Sequence, residues 1–283
     1  MTLISLLIVL SIERVTPKNL YWRDSYYFNL FKQQIQHREW LDEDASFWLL
    51  LVLIVLPSIL LSLLLGSLGW FLDFVIATLV LMVCIGCHDL RATYKCFLQA
   101  ANRGDLEACS LYAQQMGHGQ DADISLPSEA RQTGSFGQKL VWLNYQHYAA
   151  PMIWFVVFGA PGVVFYVVAR NMQNWLAQTQ HPLQDSLDKL MAVIDWLPIR
   201  ITALGFLLVG HFSRALPIWL GYLPDPSISA RQLIAEVSRA AEETEDDDFD
   251  PTEEPRALVK LAKRNMTFLL VLVSVLTLSG TLA

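Results

Sequence analysis

A membrane-length apolar segment, interrupted at its middle, constrains this chain more than any other feature. From Ala149 to Ala169 no side chain is charged, which matches the roughly 20 apolar residues that a helix needs to cross a bilayer core. Gly159-Ala160-Pro161-Gly162 lies at its centre. Pro161 has no amide hydrogen and disfavours helical geometry at Ala160, while the flanking glycines relax the backbone. Lipid offers no hydrogen bonds, so groups freed at that depth must find protein, water or ligand. A polar stretch follows, and Asp195-Trp196-Leu197-Pro198-Ile199-Arg200 then opens the next apolar run.

Hydrophobic residues make up 54% of the 283 and charged residues 17%, with the apolar ones gathered in blocks. The expected fold is all-α: a polytopic helical membrane protein with a broken membrane helix and cytoplasmic amphipathic helices. Residues 1–46 read as an N-terminal membrane or interfacial helix and an amphipathic region, and 47–87 as a transmembrane hairpin. Residues 88–147 read as a cytoplasmic helical hairpin and loop. The broken helix, its polar connector and the next transmembrane helix fill 148–221. An amphipathic helix and an acidic linker occupy 222–265, and a last transmembrane helix 266–283. Met1 to Ile12 has no basic start or small-residue cleavage site, so it reads as a retained helix, not a signal peptide.

The hairpin tip at Gly66-Ser67 carries no Lys or Arg, whereas Arg91, Lys95, Arg103, Arg131 and Lys139 follow the hairpin. The positive-inside rule therefore puts the tip outside and both flanks in the cytoplasm. Asp73, close to the tip, reads as reaching for the interface. Gly117 to Gly137, with His118 and Asp123, reads as a mobile loop, and the turn before it, Asn102 to Asp105, lets Asp105 cap a helix. Glu242 to Glu254 holds nine acidic residues and reads as a disordered linker. The net charge of -7 owes much to that run, and no basic face with interleaved aromatics appears, which excludes nucleic acid as a partner.

Two topologies remain open for the broken segment. A full crossing places residues 170–200 outside; a turn back at Pro161 leaves them cytoplasmic. If Ile201 to Leu220 is one membrane helix, turning back would send the six basic residues between Ser227 and Arg264 outside, which favours the full, broken crossing.

Cys84-Ile85-Gly86-Cys87-His88 has the spacing of covalent haem attachment and, with Cys96, donors for zinc. It falls at an expected cytoplasmic helix end, the wrong compartment for haem attachment, and the four cysteines read as reduced thiols. Gly134 to Lys139 lacks the phosphate-loop spacing and a preceding strand. No nucleophile elbow or zinc-protease helix pair is present, so no catalytic residue, metal or cofactor is assigned. What remains is a dispersed polar set at the ends of apolar runs: Glu13, Arg14, Arg103, Asp105, Asn144, Asp195, Arg200 and His211. Singly these are caps, interface anchors and an interior histidine; converging, they would make a ligand pocket.

The order of these pieces resembles the AmpE family of bacterial inner-membrane proteins. The likeness is carried by Glu13-Arg14, Ala101-Asn102-Arg103 with Asp105, Trp142-Leu143-Asn144, Ala150-Pro151, Asp195 to Arg200, Gly210-His211 and Ala215-Leu216-Pro217. The resemblance implies a non-catalytic modulator of β-lactamase induction tied to cell-wall recycling. It further implies a bilayer partner and an anionic small molecule, a nucleotide or muropeptide, held by Arg14, Arg103 and Arg200 with Asp195 orienting one arginine. A more distant likeness, from Ala150-Pro151 to Gly162 and in Pro198-Ile199-Arg200, is to the adenosylcobinamide-phosphate synthases of cobalamin biosynthesis, which form an amide using ATP and Mg²⁺. Departures from that family's acidic and amide residues fall at Gln146, around Arg170 and Gln173, and at Asp195. Those at Gln146 and around Arg170 and Gln173 remove carboxylates that could hold Mg²⁺. A transporter is the third reading, from the broken helix alone.

Overall fold

The computed structural model of the protein describes residues 2–15, 19–41, 46–67, 69–117, 134–223, 228–242 and 252–280; the side chains of Arg14 and Val15 are outside the description. The described residues form helices and no strand: α1 (Thr2–Val15), α2 (Asp24–His37), α3 (Phe47–Gly66), α4 (Trp70–Cys84), α5 (His88–Asn102), α6 (Leu106–Gln115), α7 (Phe136–Asn144), α8 (Ala150–Thr179), α9 (Gln184–Val209), α10 (Phe212–Tyr222), α11 (Ala230–Ala241) and α12 (Glu253–Leu278). Five stretches are long and apolar enough to cross a membrane: Phe47–Gly66, Trp70–Asn102, Phe136–Thr179, Gln184–Val209 and Glu253–Leu278. The protein is a polytopic helical membrane protein. It divides into one unit of Met1–Gly86, His147–Pro198 and Leu270–Ala283 and another of Cys87–Gln146 and Ile199–Leu269.

In the first unit α3 is apolar all round, with Trp48, Val52 and Leu63 exposed, as a helix facing hydrocarbon must be. It packs with α4 against α8, and α1 packs on α4. Asp73 is exposed in the first turn of α4, where its charge also complements the helix dipole. α8 breaks at Gly159, whose φ of 68° and ψ of -156° belong to a region only glycine occupies readily. The break turns the chain sharply. A Cβ on Gly162 would lie 2.7 Å from the Trp154 carbonyl oxygen, eight residues back, and the Trp154 and Phe165 rings sit 5.5 Å apart. The Ser58 hydroxyl, next to Pro57 in α3, donates to the Pro161 carbonyl at 2.7 Å, so protein supplies a partner at the depth where lipid cannot.

The ends of the broken segment return to one place. His147 and Arg170 both act electrostatically on Asp24 of α2, although a straight helix would put 23 residues of rise, about 34 Å, between them. His147 also accepts, through its carbonyl, the amide of Gly86 at the end of α4, at 3.0 Å. Both ends of the segment therefore lie on the same side of the break at Gly159, which a full crossing, favoured from the basic residues, does not predict. The premise behind that preference fails as well: Ile201 to Leu220 is not one helix, since α9 ends at Val209 and α10 starts at Phe212. The polar connector is itself mostly helical. α8 runs on to Thr179, and α9 begins at Gln184 after a turn with Gln180 in the left-handed region.

The second unit is built on more local signals. α5 and α6 pair across Gly104, at φ 73°, and Asp105 caps α6 by accepting the Ala108 amide at 2.9 Å. Phe97, Ala100, Cys109, Met116 and Leu140 form the buried core here, with Phe136 and Val259 against it. Ser135 and Gln138 form a capping box on α7, and Ser135 also bonds Glu254. α11 buries Leu233, Ile234 and Val237 and packs on α7 and α10. Asn265 of α12 donates to the Thr202 carbonyl at 3.2 Å, and Gly205 stands where any Cβ would overlap that asparagine. The expected loop residues His118 and Asp123 and the acidic run 243–251 lie outside the described residues. Thr252 to Glu254, counted with that linker from sequence, instead lead into α12.

Candidate functional site

The first unit gathers charge inside an otherwise apolar assembly. Arg170, on the returning arm of α8, is 1% exposed and donates from Nη2 to Oδ2 of Asp24 at 2.6 Å. Asn171 donates to the same oxygen at 3.2 Å. Burial by itself pushes the Asp24 carboxyl up, but the Arg170 guanidinium, His147, and the bonds from Asn171 and Ser25 outweigh it and hold Asp24 below its ordinary value. Lys32, two turns along α2, lies over the Trp175 ring at 5.2 Å, so α2 and α8 are joined by a cation–π contact as well. Tyr166, fully buried one turn before Arg170, has Asp195 and Arg170 as charged neighbours.

A buried carboxylate lies where α1 meets the start of the broken segment. Glu13 is 5% exposed, and its Oε1 accepts the Tyr148 hydroxyl at 2.7 Å. Tyr148 belongs to a π-helical stretch, Tyr145–Ala149, between α7 and α8; one wide turn of this kind re-aims side chains. Gly86, at φ 92°, leaves the space that Glu13 needs, because a Cβ there would stand 2.5 Å from Oε1.

Beside the Asp24 pair is a cavity of about 520 Å³, walled by aromatics of the α2 region and by aliphatic side chains of α4 and α8, with Asp24 and Asn171 as its polar groups. Its size falls within the range of ligand pockets, about 300–1,000 Å³.

The residues singled out from sequence divide between the units. Glu13 and Asp195 are buried in the first, on different partners; Arg14 lies on α1 with its side chain outside the description. In the second, Arg103 is exposed in the α5–α6 turn, Asp105 is a cap, Asn144 is half-buried at the end of α7, and Arg200 is 8% exposed on α9. His211 is not interior: it is the exposed residue preceding α10, its amide donating to the Ala241 carbonyl at 2.8 Å. Sequence reasoning missed Asp24 and gave Arg170 no role. The available signal was a lone arginine ending an uncharged membrane-length run, which demands a buried partner. None of the four cysteines is in a disulfide, and among the described residues no group of three His, Cys, Asp or Glu side chains is placed to hold a metal. Burial raises the Cys109 thiol, reinforced by Asp105, so it is an inert core sulfur.

Comparison with known proteins agrees with this architecture. A family model described as "Regulatory signalling modulator protein AmpE" matches residues 1–283. "Protein AmpE" of Shigella flexneri is 29% identical over 290 residues, covering 100% of both chains. "Cobalamin biosynthesis protein CobD" of Chromobacterium violaceum is 24% identical over 156 residues, 54% of this chain and 49% of that one. A protein of the same description from Stutzerimonas stutzeri is 28% identical over 193 residues, covering 66% and 60%. No solved structure matches. With a match from first residue to last and a helical membrane fold to go with it, the chain belongs to the AmpE family of regulatory signalling modulators.

Proposed function

We propose that this AmpE-family protein acts in the bacterial inner membrane as a non-catalytic modulator of β-lactamase induction, coupled to cell-wall recycling. The observation that carries this reading is the Arg170–Asp24 pair. In the resembling synthases, amide and acidic residues stand around positions 170 and 173. In this chain Arg170 neutralises Asp24, and Gln173 donates to Asp188 at 2.7 Å. Groups in the corresponding region are committed to intramolecular partners, which suits a scaffold that moves more than one that holds Mg²⁺ and ATP. The moving element would be the returning arm of α8, hinged at Gly159 and latched by the pair; a ligand shifts such an equilibrium only through different affinities for its two states.

The ligand proposed is an anionic small molecule, a nucleotide or muropeptide, recognised in the second unit by Arg103 and Arg200. Arg103 is exposed and Arg200 nearly buried, so the first would steer the anion and the second would change packing when bound. Arg103→Ala and Arg200→Ala are expected each to weaken ligand binding by about tenfold and to alter β-lactamase induction in cells. Unchanged affinity and induction in both would sink the proposal. The amide-forming alternative requires divalent-metal-dependent ATP turnover with a carboxylate and an amine.

The sidedness that goes with this reading has its own check. Ser25→Cys and Asp185→Cys, in a chain cleared of other cysteines, are expected to react with an impermeant thiol reagent from the same face of the membrane. Labelling from opposite faces rejects the turn back.

A further inference from the structure

The cavity of the first unit differs in chemistry from the anion site just described, because it presents a carboxylate and an amide within an apolar wall. Phe28, Phe31, Val80, Val83, Val164 and Val167 supply much of that wall. Its polar end is Asp24 and Asn171; Arg170, which neutralises Asp24, does not itself line the space. The occupant therefore needs a hydrocarbon body and a head that donates hydrogen bonds to the carboxylate and amide oxygens of Asp24 and Asn171.

The opening decides where such a molecule comes from. Among the lining residues Leu79 is 44% exposed and Tyr27 51%. Leu79 lies within α4, an apolar helix of membrane character, while Tyr27 lies on amphipathic α2. The cavity thus opens between a membrane helix and an interfacial one, with its aromatic rim where amphipathic rings settle at headgroup level. A lipid chain lying along α4 would meet the cavity from that side.

We infer that the cavity between α2, α3, α4 and α8 is a lipid site that takes one acyl chain of a phospholipid with a primary ammonium headgroup, the ammonium bonding Asp24 and Asn171. Each buried methylene contributes about 0.8 kcal/mol, so the apolar wall provides the retention and the polar end the headgroup choice. The pair that latches α8 to α2 then sits directly at the lipid headgroup.

The test uses the full chain, purified in detergent and exchanged into phosphatidylethanolamine or phosphatidylglycerol, with retained lipid counted by native mass spectrometry. One tightly held phosphatidylethanolamine per chain is expected, about tenfold preferred over phosphatidylglycerol. Val80→Phe on α4 and Val164→Phe on α8 fill the space from two helices and are expected each to cut retention roughly tenfold. Leu63→Phe, on the lipid-facing side of α3, is the control for lipid that merely coats the surface and leaves retention unchanged. Melting temperatures show which variants remain folded, and either filling variant is sufficient by itself. Equal retention in the folded filling variants, no preference between the two headgroups, or a peptide cross-linking to position 80 in place of lipid would each overturn the assignment.

Discussion

Two ion pairs of equal length mark the contrast between the units. Arg170 meets Asp24 at 2.6 Å in the first and Arg264 meets Glu242 at 2.6 Å in the second. The first arginine is 1% exposed and the second 42%. Distance alone would rank them together; burial separates them. The carboxylates are alike, Asp24 17% and Glu242 19% exposed, so the arginines carry the difference: Arg264 keeps much of its hydration and gains little by the meeting, whereas Arg170 without Asp24 would be left in surroundings that solvate it poorly. The second unit has caps and a capping box settled within a few residues, beside longer-range contacts such as Ser135 with Glu254 and Asn265 with Thr202. The first derives its order from polar contacts that reach across the chain into apolar surroundings.

That contrast fixes the expected sizes of effect. Arg170→Ala should be the most damaging, destabilising by about 3–5 kcal/mol because Asp24, 17% exposed, loses its guanidinium counter-charge; chemical denaturation in detergent measures it, and Asp24→Asn in the same background should recover part of the loss. The pair also sets an acid limit. Asp24 is held below its ordinary value, so its contribution is complete above the unfolded carboxylate value of about 3.9 and is lost as pH falls through the lower folded value. An acid titration of stability should therefore flatten in Asp24→Asn, and an unchanged profile would remove Asp24 from the account.

Gly162→Ala comes next, since its methyl would lie 2.5 Å from the Phe158 Cβ and 2.7 Å from the Trp154 carbonyl. Overpacking of this kind costs about 1–3 kcal/mol, read as a fall in midpoint denaturant; a neutral result would mean that the arms of α8 do not meet as described. Arg264→Ala should be smallest, within about 0.2–1 kcal/mol by the same measurement. If it matched Arg170→Ala, burial would not be what distinguishes the units.

Much of the fold was readable because it is local. The run from Phe47 to Gly66, the Asn102 to Asp105 turn with its cap, and the apolar face of α11 are each written in neighbouring residues, where spacing and capping chemistry act over one or two turns. The break at Gly159-Ala160-Pro161-Gly162 was equally visible. Its direction was not, because a break permits either a bend within a crossing or a return, and charge bias in flanking loops cannot distinguish them when the following apolar run is itself two helices.

The site was less readable for the same reason. Glu13 stood out in the sequence, yet nothing in it pairs that residue with Tyr148, 135 positions away, and Asp24 and Arg170 are 146 apart. Helix periodicity tells which face is apolar but not which polar groups are brought together when faces pack. Amino-acid order settled the membrane-helical class, the break and the caps, through backbone geometry and hydrophobic spacing. Packing of α2 against the returning arm of α8 decided that Arg170 would find Asp24, and with it where the cavity lies, because desolvation and charge pairing depend on three-dimensional neighbours.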